Sequence, residues 1–300
     1  RDFLPEIMAL KPTVRLYAND MRWCGLNPEK SDDVLRFKKI VEGVGMRLNS
    51  WVATVVVQSN EKYINQERLA ALSKVIHAVA ERTEGDGVIL FPGGWFKFRQ
   101  SEARANYDWV EGKVSEILRQ LGDRNLVACV GIDGRETSGW ARDQVGAAVS
   151  KSGIIALGRK FYPTKREKKY VDLARDYRDE EEGRSRIFNV AGRNYFICAC
   201  YDIFGIKRQK IINPGVDAIL DLIHGFYRRG EENSGEVYFA RHGLAGASNQ
   251  WKCPVFAGAV FFEREIPKNW PSAVFWDGGN TRRCNYQDIA WQAAEEINLI

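Results

Sequence analysis

Histidine and methionine are scarce, with only His77, His224 and His242 for imidazoles and three methionines in 300 residues. The six cysteines, at 24, 129, 198, 200, 253 and 284, are irregularly spaced, and several lie inside apolar runs. That usage fits free thiols in a reducing compartment rather than a disulfide framework. Cys198-Ala199-Cys200 has no second cysteine or histidine pair at ligand spacing, so a structural zinc site is not expected. No apolar stretch approaches the ~20 residues that span a bilayer. Arg1-Asp2-Phe3-Leu4-Pro5 shows no signal-peptide core, so no membrane partner and a cytoplasmic location are expected. A basic stripe with interleaved aromatics is also missing. The cluster 165–169 is broken by Glu167 and followed by the acidic run 179–182, which reads as a solvated loop, and nucleic acid is not an expected partner. The 44 basic and 39 acidic residues leave a net charge of +5, a mixed surface. Repeats, low-complexity segments and dividing linkers are absent from 51–300.

What is present is an alternation of buried-strand and amphipathic-helix patterns. Residues 51–57 are a continuous apolar and β-branched run, read as a buried strand. Helical spacing over 67–82 (Leu69, Leu72, Val75, Ile76, Val79) leads to a short strand at 88–91, stopped by Pro92-Gly93-Gly94. A second helix at 107–121 and a third strand at 125–132 follow, which argues for an α/β fold. Two hairpins are then predicted, 145–157 around Lys151-Ser152-Gly153 and 187–200 around 191–194. They imply a mixed sheet. Strands at 218–223, 255–262 and 272–276 and a helix at 236–250 complete the pattern. Residues 1–50 read as an extension packed on the main domain, with one helix expected from Ser31, a good N-cap, to about Gly43.

The strand 195–200 ends in Cys200 and runs into Tyr201-Asp202. A cysteine at a strand end suits a nucleophile, because the thiol projects toward loops. Cysteines in strands are also common small core residues, and the segment alone leaves both readings open. Trp95 and Phe96 either wall a pocket or fill a core. His77 and His242 sit in helical patterns as structural residues. Paired Gly93-Gly94 suits a tight turn.

Cys200-Tyr201-Asp202 resembles the nucleophile motif of the nitrilase (carbon–nitrogen hydrolase) superfamily, in which an aromatic residue and an acid follow the cysteine. Arg159 to Thr164, with Glu167 seven residues after Lys160, resembles that family's lysine motif. The hairpin before Lys160 and the first strand, helix and second strand agree in order over about 250 residues. The resemblance implies a four-layer α/β/β/α sandwich with mixed sheets and a single domain over 51–300. It also implies thiol-dependent hydrolysis or transfer at a non-peptide carbon–nitrogen bond, of amide, nitrile or carbamoyl type. Cys200 would be the nucleophile, Lys160 the cation that favours the thiolate and stabilises the oxyanion, and Glu167 their support. A small-molecule substrate and a homo-oligomer, at least a dimer, are expected, with no metal or organic cofactor. One departure stands out. The family's general-base glutamate follows the proline after the second strand, and here Phe91-Pro92 is followed by Gly93. Glycine can neither take nor return a proton. Glu136 or Glu167 could supply the base, and His224, at a strand end expected to face the site, could touch ligand or replace it. Tyr201 is a further candidate for the pocket. Alternatively, the fold is kept for binding a ligand or protein partner without turnover.

Overall fold

The computed structural model describes residues 50–59, 64–83, 85–99, 102–135, 142–227, 235–267, 270–276, 281–285 and 295–299. The expected extension 1–50, its helix and Glu136 lie outside the described residues, apart from Ser50. In chain order the elements are β1 (Ser50–Ser59), α1 (Asn65–Arg82), β2 (Asp86–Leu90), β3 (Phe96–Lys97), α2 (Ala103–Arg119), β4 (Leu126–Gly134), β5 (Asp143–Ser150) and β6 (Gly153–Arg159). Next come β7 (Ile187–Val190), β8 (Arg193–Ala199), α3 (Asp202–Arg208) and β9 (Ala218–Leu222). They are followed by α4 (Glu236–Tyr238), α5 (Ala245–Trp251), β10 (Val255–Phe262), β11 (Pro271–Trp276), β12 (Thr281–Asn285) and β13 (Glu295–Leu299). No helix among the described residues is long and apolar enough to cross a membrane.

The architecture is an α/β/β/α sandwich, and three separate apolar clusters define its layers. One places Leu72, Val75 and Ile76 of α1 and Val110 and Val114 of α2 against Ala53, Val55, Ile89 and Val130. A second places Ile203 and Phe204 of α3 and Ala247 and Trp251 of α5 against Phe196, Ile219 and Ala257. Between them, Val88, Leu90 and Val127 meet Ile197, Leu220 and Leu222 in a helix-free core. Alternate residues of each strand therefore serve opposite cores, which is why these strands read as unbroken apolar runs. The two facing halves are one continuous sheet, ordered β6-β5-β4-β2-β1-β10-β9-β8-β7. They join where β1 and β10 run parallel, Val56 beside Ala259.

Both expected hairpins are antiparallel pairs, β5 with β6 and β7 with β8. The second closes on Ala191-Gly192, both with positive φ, so its turn is shorter than the 191–194 read from sequence. The helix expected at 236–250 is broken by a π-helical segment, Phe239–Leu244, between α4 and α5. Trp95 and Phe96 are buried in the cluster under α1 and α2, with Arg68 stacked 4.5 Å from the Trp95 ring. They fill core.

What this topology does for function is to gather strand ends. Strands β2, β4, β8 and β9 run parallel through the joined sheet, and β6 shares their direction because it is twice reversed from β4. Their carboxyl ends and the segments leaving them carry Gly93, Asp133, Cys200, His224 and Lys160. Crevices outside the carboxyl ends of parallel strands are where α/β sheets bind ligands.

Candidate active site

Cys200 follows the last residue of β8 and precedes α3, with Tyr201 between. Its φ of 55° is left-handed, a conformation that costs a residue with a Cβ about 1–2 kcal/mol. The bend turns the chain from strand to helix in one residue and leaves Cys200 partly exposed. Among the described residues Cys129, Cys198 and Cys253 are all buried. Burial pushes the Cys253 thiol up to about 12 and raises the other two as well.

Asp202 locks this bend to the lysine segment. Fully buried, it accepts the amide protons of Phe161 (2.9 Å) and Tyr162 (2.7 Å) through Oδ1 and of Ala199 (3.1 Å) through Oδ2. Arg186, also buried, approaches Oδ2 at 3.5 Å and donates to the Arg159 carbonyl at 2.5 Å. Burial holds the Asp202 pKa above the usual carboxylate range, against the pull of Arg186 and Lys160.

Lys160 leaves β6 directly into this clamp, its backbone amide donating to Gln144 O at 2.9 Å. The side chain is completely buried. Its ammonium donates to Gln144 Oε1 (2.9 Å) and Glu167 Oε1 (2.6 Å). Burial opposes the charge, but Cys200, Glu167 and Asp202 in that order outweigh it and hold the lysine pKa above its ordinary value. The second Glu167 oxygen accepts from Thr164 N (2.7 Å), while Glu167 N donates to Thr164 Oγ1 (3.2 Å). This reciprocal pair is a capping box. Burial pushes the Glu167 carboxyl up, and Lys160 pulls it below the usual range.

His224 follows β9 by two residues and lies across from the Cys200 bend, since Ala199 pairs with Leu222. Its Nε2 is 2.9 Å from Asp133 Oδ1 at the end of β4. Nδ1 is buried and has no hydrogen-bond partner in full bonding geometry, yet 24% of the side chain stays open to solvent. Burial favours the neutral ring. Asp133 outweighs burial, Cys200 adds to Asp133, and the pKa is pushed up to about 10. Burial likewise pushes Asp133 up, but the His224 cation brings it below the usual carboxylate range.

Gly93 and Gly94 make room for that pair. A Cβ on Gly93 would lie 2.5 Å from Leu222 O and 2.8 Å from His224 Nδ1. On Gly94, at φ +56°, it would lie 2.8 Å from Asp133 Oδ2.

Cys200, Lys160, Glu167, Gly93 and His224 thus come together at one end of the sheet, and Tyr201 borders them. Tyr201 stacks on Phe204 at 4.4 Å and faces Tyr162 at 6.3 Å. Sequence reading missed Asp133, Gln144, the structural duty of Asp202, and Asp221. Asp133 carried one signal, an acid directly after a buried run. Asp221 is fully buried opposite Cys198. Burial, then Cys200 and Asp202, push its pKa well above the carboxylate range. A surface hollow lined by Arg159, Asp172 and Glu181 is separate from this cluster. Among the described residues no three or more His, Cys, Asp or Glu side chains are placed to hold a metal ion together.

The chain has the fold of the nitrilase-superfamily amidases. A variant of the Nesterenkonia AN1 amidase from the nitrilase superfamily superposes with TM-score 0.59 at 12% identity, covering 85% of this chain and 92% of that one. Another variant of the Nesterenkonia sp. AN1 amidase, in which acrylamide has added at the active-site cysteine, gives 0.58 at 11%, covering 83% and 92%. A carbon–nitrogen hydrolase from Helicobacter pylori G27 gives 0.50 at 11%, covering 71% and 74%. No protein-family model and no curated protein matches the sequence.

Proposed function

We propose that this protein is a thiol-dependent hydrolase or transferase acting on a non-peptide carbon–nitrogen bond of amide, nitrile or carbamoyl type. The observation that carries the reading is Cys200 on its left-handed bend with the buried ammonium of Lys160 held beside the same loop by Gln144 and Glu167. A nucleophile needs access and a positive neighbour, and of Cys129, Cys198, Cys200 and Cys253 only Cys200 has both. In this mechanism the Cys200 sulfur adds to the substrate carbon, and the π-electron pair moves to the carbonyl oxygen or nitrile nitrogen. The Lys160 ammonium stabilises that developing negative charge. Glu167, occupied on both oxygens, keeps the ammonium in place. The solved amidases of this fold, one caught with acrylamide on its active-site cysteine, support a small amide as substrate. By the same resemblance the working form is a homo-oligomer, which sedimentation would reveal.

The direct test incubates the protein with a panel of short aliphatic amides, nitriles and carbamoyl compounds. Ammonia or amine release is followed together with the intact mass. The expected result is release with one substrate class and an acyl adduct on the Cys200 peptide, both lost in Cys200→Ala. Absence of release and adduct across the panel in folded protein favours the second reading, a binding protein of the same fold. The observation behind that alternative is Gly93, where the resemblance puts a general base.

A further inference from the structure

The space a carboxylate at position 93 would need is already filled. Its Cβ would sit 2.8 Å from His224 Nδ1 and 2.5 Å from the Leu222 carbonyl. The imidazole that fills it is fixed through Nε2 to Asp133 at 2.9 Å, and its other nitrogen is buried and unbonded in the cluster that holds Cys200. Glu167 is unsuited to proton transfer, because Lys160 and Thr164 occupy its two oxygens at 2.6 and 2.7 Å. We infer that His224, oriented by Asp133, is the general acid–base of this site, in place of the glutamate that Gly93 excludes. The inference rests on the thiol-dependent reading of Cys200. It makes the constellation a cysteine–histidine–aspartate triad with an added lysine, in which Asp133 is a positioning residue.

The chemistry balances without any further group. At rest the thiol proton sits on His224. For an amide, the Cys200 sulfur forms the C–S bond and the carbonyl π pair moves to oxygen, facing Lys160. That pair then reforms C=O as the C–N bond breaks, and His224 gives its proton to the departing nitrogen. In the second half His224, now neutral, takes a proton from water as its oxygen attacks the thioester. The C–S bond breaks, acid leaves, and the sulfur carries the charge opposite a protonated His224. The raised basicity of the ring beside Asp133 and Cys200 suits this resting pair. Asp133 holds tautomer and orientation, as the third member of such triads does.

The test uses the whole chain and reads Cys200 without substrate. Limiting iodoacetamide is applied to wild type, His224→Asn, His224→Gln and Asp133→Asn across about pH 5 to 9, and the Cys200 peptide is quantified. With folded variants, the inference expects the alkylation rate near pH 6.5 to fall about tenfold when His224 is replaced. Asp133→Asn should shift the pH profile toward lower pH rather than only scale it. In wild type, with three histidines to assign, imidazole nitrogen-15 spectra should show His224 titrating at lower pH once Cys200 is alkylated. This arm stands even if every variant misfolds. A folded His224→Asn alkylated at the wild-type rate overturns the inference, as does a His224 titration that ignores alkylation. Turnover that keeps the wild-type kcat in His224→Asn also overturns it but leaves the hydrolase reading intact. A His224-dependent thiol that turns over nothing in the substrate panel supports the inference and counts against the hydrolase reading instead.

Discussion

At the scale of single residues, the deciding positions are those with no side chain to spare. Gly93 invites the experiment of restoring a glutamate, and the geometry argues against it. The backbone there is not left-handed, so strain in φ is no obstacle. The obstacle is volume: a backbone carbonyl and the His224 ring stand where the Cβ must go. Gly93→Glu is expected to lower stability by about 1–3 kcal/mol, the usual cost of overpacking, and to bring no gain in amide turnover. Urea unfolding and ammonia release on the same preparation check both halves. His224 makes a second expectation, for pH. Asp133 and Cys200 face it, and Glu167 senses its charge. Its folded pKa of about 10 lies above the unfolded value of about 6.5. Its contribution is therefore fully present below about pH 6.5 and is lost as pH rises through about 10. Asp133, with its pKa lowered, loses its share only as pH falls below the ordinary carboxylate range. The melting-temperature gap between wild type and His224→Asn should accordingly be largest around pH 5 to 6.5 and shrink toward pH 10. A gap that widens with rising pH would contradict the pairing.

At the scale of elements, the site is a set of strand ends tied by one carboxylate. Asp202 joins the Cys200 bend to the segment leaving β6, through three hydrogen bonds accepted from backbone amides and the approach of Arg186. Asp202→Ala leaves three amide protons without their acceptor and a buried guanidinium without its anion. The expected loss is about 3–5 kcal/mol, with slower alkylation of Cys200 in whatever folds, because Lys160 is no longer held against the bend. Asp202→Asn retains one oxygen that can accept the Phe161 and Tyr162 amides, so it should cost less. Comparing the two variants by chemical denaturation and by alkylation separates the clamp from charge. This acid was visible in the sequence as the third residue of Cys200-Tyr201-Asp202. Its partners were not, since a hydrogen bond from Tyr162 spans 40 residues.

At the scale of the whole molecule, local pattern and tertiary arrangement divide the account between them. Apolar runs and helical spacing were enough for β1, α1, β2, α2, β4, the two hairpins, β9 and β10, because strands buried on both faces and helices buried on one leave a periodic trace. Short or irregular pieces left none: β3 with two residues, the capping-box turn at 164–167, the π-helical break at 239–244, and β12 and β13. The Cys200, Lys160 and Glu167 cluster was legible because three motifs kept their order along the chain. Which base serves the thiol was not. Glycine at 93 states only that a carboxylate is missing there. That an imidazole from 131 residues later fills the same space, paired with an acid from β4, follows from strand order in the joined sheet. The sequence pattern alone determined an α/β chain with two hairpins and a mixed sheet, since these depend on contacts between near neighbours and on periodic burial, whereas the α/β/β/α layering and the role of the thiol were expected only from the resemblance. The partner of that thiol was decided only in three dimensions, because packing of parallel strand ends sets distances that no spacing along the chain encodes.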